Sequence, residues 1–84
     1  MKIKFYSDPG HGWGAVKRKV LVELGILEKI TPFSYQKGQT VYLEGDCDLA
    51  TLTTTLALRG ETIEYIHKYT DSRSSIRSYS NFTV

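Results

Sequence analysis

Asp48-Leu49-Ala50-Thr51-Leu52-Thr53-Thr54-Thr55-Leu56-Ala57-Leu58-Arg59 is the stretch on which the fold turns. Its four threonines favour a strand, because a β-branched side chain loses rotamer freedom against the preceding turn of a helix. Leu49, Leu52 and Leu56, however, recur at helical spacing, Asp48 is a good N-cap, and Gly60 is a natural stop. The apolar period decides for a helix.

Working outward toward the C-terminus, Ile63, Tyr65, His67 and Tyr69 alternate against Thr62, Glu64 and Lys68, the clearest strand pattern of the chain, with Ile63 and Tyr65 expected to face the core. Asp71 to Val84 is rich in Ser and short of large aliphatics. Ile76, Tyr79, Phe82 and Val84 are expected to pin only part of that tail, so 71–84 reads as a partly ordered end. Toward the N-terminus, Phe33-Ser34-Tyr35 and Thr40 to Glu44 flank Lys37-Gly38 as a hairpin. Val16, Val20, Leu24 and Leu27 mark a helix from about Lys17 to Leu24, closed at Gly25. Ile3 and Phe5 alternate with Lys2 and Lys4 in a first strand that Asp8-Pro9-Gly10 turns back into His11-Gly12-Trp13-Gly14-Ala15-Val16. The expected order is ββαββαβ: an α+β domain with one antiparallel-type sheet and two helices on one face.

Length and composition agree with this. At 84 residues the chain holds one domain with a thin core, which favours a shallow or partner-completed site over a deep pocket. A composition of 40% hydrophobic and 24% charged residues is that of a folded protein. Eleven basic against nine acidic residues leave a formal charge of +2, too small for a general nucleic-acid footprint. Lys17-Arg18-Lys19 therefore reads as a solvated helix face. Six Tyr with one Trp form a large aromatic load of the type that contact surfaces use. The single Cys47 cannot close an internal disulfide and points to a reducing cytoplasm. No apolar run approaches the ~20 residues of a membrane span, and the N-terminus does not resemble a signal peptide.

Tyr6-Ser7-Asp8-Pro9-Gly10-His11-Gly12-Trp13 is the leading candidate surface. Pro9 presets one backbone angle, Gly10 and Gly12 permit close approach, and His11 offers a donor or acceptor near neutral pH. The contact set expected from this loop and the tyrosines is Asp8, His11, Trp13, Tyr35 and Tyr42, with Trp13 equally explained as the largest core residue. Arg73 and Arg77 form an alternative phosphate clamp beside Tyr79. Glu44, Asp46 and Asp48 offer oxygen ligands, but they fall short of a calcium-loop signature and are better explained as a strand end and a helix cap. No metal or cofactor is expected. Cys47 reads as a buried or half-buried thiol, since its acidic neighbours oppose a thiolate. No catalytic set emerges, so a non-enzymatic binder is expected.

Ser7-Asp8-Pro9-Gly10-His11-Gly12-Trp13, Leu24-Gly25-Ile26, Phe33-Ser34-Tyr35-Gln36-x-Gly38 and Val41-Tyr42-Leu43-Glu44-x-Asp46-Cys47-Asp48 together resemble a group of small proteins encoded by tailed bacteriophages. The resemblance implies an accessory protein that blocks host machinery such as restriction or CRISPR in the bacterial cytoplasm, by occluding a host protein or nucleoprotein. A second class implied by it sequesters signalling nucleotides. A metal-assisted hydrolase using His11 with Asp8 or the acidic cluster is a third reading, and a homodimer is an open alternative. No catalytic residue travels with the resemblance.

Overall fold

The computed structural model describes residues 1–84. Asp48–Leu58 is a helix (α2), with Leu49, Leu52 and Leu56 buried as the period requires. Its threonines are accommodated by bonding back along the helix: Thr53 Oγ1 donates to the Ala50 carbonyl at 3.0 Å and Thr55 Oγ1 to that of Thr51 at 2.8 Å. Beyond Arg59 the chain enters the left-handed region at Gly60 (φ 74°), and the N–H groups of Gly60 and Glu61 donate to the carbonyls of Ala57 and Leu56. Arg18–Glu23 (α1) ends the same way at Gly25. In both helices two otherwise unpaired carbonyls are satisfied at a residue without a Cβ.

The strands are β1 (Lys2–Ser7), β2 (Gly12–Lys17), β3 (Tyr35–Lys37), β4 (Thr40–Glu44), β5 (Glu64–Tyr69) and β6 (Ser80–Asn81). They form one sheet in the order β5-β1-β2-β4-β3-β6. The expected ββαββαβ order is present and extended by β6. The α+β class holds, and the sheet is mixed rather than purely antiparallel. β5 arrives by way of α2, and a helical crossover delivers it parallel to β1, with Ile3 opposite Tyr65 and Phe5 opposite His67.

Ile3, Val16, Val41 and Leu43 point from the sheet into the core beneath α1 and α2. The helix lies close because β2 carries Gly14 there: a Cβ would stand 2.7 Å from Leu49 Cδ1. Ile63 and Tyr65 pack against this core as expected.

The tail is more ordered than its composition suggests. Phe82 is buried in the helix-side core, its N–H donating to the Ser34 carbonyl at 2.8 Å, and β6 pairs Asn81 with Tyr35. Ser74–Tyr79 forms a strap around a short 3₁₀ turn over Ser75–Ser78, which Ser74 caps by accepting from the Ile76 N–H. The tail's serines make hydrogen bonds that large aliphatics cannot, and two buried apolar residues, Ile76 and Phe82, suffice to anchor it.

Candidate functional site

The opposite face of the sheet carries Tyr6, Trp13, Tyr35 and Tyr42, since each alternates with residues of the core face. Trp13 is nonetheless only 2% exposed, because the strap lies over it: the Arg77 guanidinium stands 5.6 Å from its ring centroid.

Asp8 fixes that strap. Its Oδ1 accepts from the Gly10 and His11 N–H groups, each at 3.0 Å, which closes the hairpin turn. Oδ2 accepts from the Ser74 N–H at 2.9 Å, and Arg77 closes a two-pronged pair through Nε to Oδ2 at 2.7 Å and Nη2 to Oδ1 at 2.8 Å. The Arg77 bond, followed by the Ser74 N–H, holds the Asp8 carboxyl well below the usual carboxylate range, and the same bond raises Arg77.

A second wall comes from the end of β4. The Gly45 N–H donates to the Gly12 carbonyl at 2.8 Å, and the Asp46 N–H donates to Glu44 Oε1 at 3.0 Å. These bonds carry Glu44 and Asp46 up to His11. One imidazole nitrogen and two carboxylate oxygens lie within 4.8 Å of one another, the donor types and number that a small cation accepts.

The third wall is the loop before β3. Tyr35 meets Trp13 edge to face at 6.2 Å, and Phe33 stands 72% exposed at the rim. Asp48 holds this loop from below. Its carboxylate accepts from the Thr31 N–H at 3.1 Å, Thr31 Oγ1 at 2.8 Å and Ser34 Oγ at 2.5 Å, and Ser34 Oγ in turn accepts from the Glu44 N–H at 2.9 Å. The three walls enclose an open cleft of about 300 Å³.

The expected contact residues are therefore divided. His11 and Tyr35 line the cleft, Trp13 is its buried floor, and Asp8, 6% exposed, is a structural carboxylate beneath it rather than a contact residue. Tyr42 lies outside the cleft, packed between Tyr6 (6.0 Å) and Tyr79 (5.2 Å); burial, then Tyr79 and Tyr6, push its phenol up.

The Arg73 and Arg77 clamp does not form as expected. Both line a shallow depression, but Arg77 is committed to Asp8 and only Arg73 is exposed without a carboxylate partner. Asp48 is not the cap of α2. Cys47 occupies that place, and Asp48, fully buried one residue later, bonds the 31–34 loop instead of joining Glu44 and Asp46. Cys47 is exposed rather than buried. Its thiol is raised by local desolvation and then by Asp48 and Glu44, which disfavours a reactive thiolate.

Phe33 is the cleft residue that sequence reasoning missed. The expected strand arm Phe33-Ser34-Tyr35 begins only at Tyr35, because Pro32 and Phe33 occupy a turn, and this leaves the Phe33 ring at the rim instead of on a strand face. No protein-family profile, curated protein or solved structure matches the chain.

Proposed function

We propose that the chain is a non-enzymatic binding protein that occludes the surface of a protein or nucleoprotein partner, and that the cleft receives a cationic side chain of that partner. The acidic, aromatic character of the cleft carries this reading. Glu44 and Asp46 have no basic partner, while Arg77, the only Lys or Arg at the cleft, is answered by Asp8. Phe33 and Tyr35 add aromatic walls beside those carboxylates. An ammonium or guanidinium group satisfies both features at once. The resemblance to small tailed-phage proteins supports bacterial host machinery as the source of the partner, and inhibition by occlusion as the outcome.

Immobilised protein is expected to retain a stoichiometric protein from a bacterial lysate. Phe33→Ala combined with Glu44→Gln is expected to lose at least tenfold in affinity for it with an unchanged Tm, since an exposed aromatic anchor contributes to binding and not to folding. Retention at full affinity by the double variant would exclude the cleft as the contact surface. A bound nucleotide in place of a protein would favour sequestration, with Arg73 as the available cation.

The His11, Glu44 and Asp46 donors give a metal-assisted hydrolase its specific support as a second reading. It requires turnover that a chelator abolishes and that His11→Ala lacks.

A further inference from the structure

A second surface lies on the same side of the sheet, where the strap leaves β1, β2 and β4 uncovered. Lys4 and Tyr6 of β1, Ala15 and Lys17 of β2, and Thr40 and Tyr42 of β4 line an open groove of about 310 Å³ there. The strand registers extend this surface. Lys68 lies opposite Tyr6 on β5, and Lys37 lies opposite Thr40 on β3, its Nζ 4.8 Å from the Tyr79 ring centroid.

Charge is segregated onto this surface. Lys2 is paired with Glu64 at 3.2 Å, but Lys4, Lys17, Lys37 and Lys68 have no carboxylate partner. Among the strand residues of this side, away from the cleft, Glu64 is the one acidic side chain and it is answered by Lys2, so the face presents four unpaired lysines around Tyr6 and Tyr42. Ala15, the small residue opposite Tyr42, leaves the groove open beside the Tyr6–Tyr42 pair, whose rings meet edge to face at 6.0 Å.

We infer that this face binds single-stranded nucleic acid, with Lys4, Lys17, Lys37 and Lys68 on the phosphates and Tyr6 and Tyr42 against the bases. Lysines spread over four strands track a flexible backbone, and aromatic rings on a sheet offer stacking that any unpaired base accepts. A duplex keeps its bases stacked inside and presents none to the tyrosines. The inference uses none of the cleft residues and stands or falls independently of the cleft's partner.

The test is fluorescence anisotropy with a labelled unpaired oligonucleotide of about twelve residues, in DNA and RNA forms, against the matching duplex. At low salt the single strand is expected to bind with a Kd on the order of 10 µM and to weaken with salt along a log–log slope of about 3, the value for four neutralised phosphates. Binding of either the DNA or the RNA form supports the inference and identifies the sugar preferred. Lys4→Ala combined with Lys17→Ala, both exposed, is expected to lower affinity about tenfold and to flatten the slope with Tm unchanged. Phe33→Ala is expected to leave binding as it was. No binding at low salt, a duplex bound as tightly as the single strand, or full affinity in the double lysine variant would each overturn it.

Discussion

Replacing Asp8 by Ala is expected to lower Tm by on the order of 15–20 °C and to release the strap from the sheet. The N–H groups of Gly10, His11 and Ser74 and both prongs of Arg77 converge on this one carboxylate, which is itself buried. Alanine leaves those donors without an acceptor and the Arg77 charge uncompensated above Trp13, which is why removing one partner of a buried pair costs far more than the pair contributes. Arg77→Lys in the presence of Asp8 is expected to lower Tm as well, because an ammonium cannot reproduce the two-pronged bond. Thermal unfolding gives the magnitude, and limited proteolysis between residues 70 and 84 reports the released strap. A Tm within a few degrees of wild type would contradict the assignment.

The same carboxylate sets an acid limit. Its pKa is depressed from the ordinary 3.8, chiefly by Arg77, so the folded state favours the charged form. The stability it contributes is complete above that ordinary value and is lost as the pH falls below it. Wild type is therefore expected to lose stability more steeply than Asp8→Asn below about pH 4, and equal slopes in the two proteins would count against the pairing.

Replacing Asp48 by Ala is expected to cost about 2–4 kcal/mol in chemical denaturation. The fully buried carboxylate accepts from the Thr31 backbone and hydroxyl and from Ser34, and through Ser34 it also fixes the Glu44 N–H. The loop carrying Phe33 and Tyr35 is thereby tied to both the end of β4 and the start of α2. Loss of Asp48 is expected to loosen a cleft wall that it never touches, so partner affinity falls along with stability. Ser34→Ala is expected to show a smaller loss in both, having removed one link rather than the hub. An Asp48→Ala protein as stable as wild type would contradict the network.

What could be read from the sequence was local. Periodicity located both hairpins and both helices, and the apolar stripe of Leu49, Leu52 and Leu56 correctly outweighed the threonines around it. The glycines at 25 and 60 stopped the helices where their backbone freedom was needed. Long-range pairing was not legible. Asp8 and Arg77 lie 69 positions apart, and each had a sufficient local explanation, a turn former and a basic tail. Asp48 misled for the same reason, since a carboxylate at a helix start looks like a cap until the loop it serves is folded beside it. The Ser-rich tail seemed too polar to order, but its hydrogen bonds to Asp8 and its pairing with β3 compensate for the missing apolar surface. Segregation of the lysines onto one face became visible only with the strand register, because net charge averages over every face.

The cleft is tested most directly by site-specific photocrosslinking in a bacterial host lysate. A photoreactive phenylalanine analogue replaces Phe33 in one protein and Leu58 in another; Leu58 is 86% exposed at the end of α2 and remote from the cleft. One host protein is expected to crosslink from position 33, not from 58, and to disappear when Glu44→Gln and Asp46→Asn are added. Equal crosslinking from both positions, or a crosslink from 33 indifferent to the two carboxylates, would contradict the cleft as the binding surface.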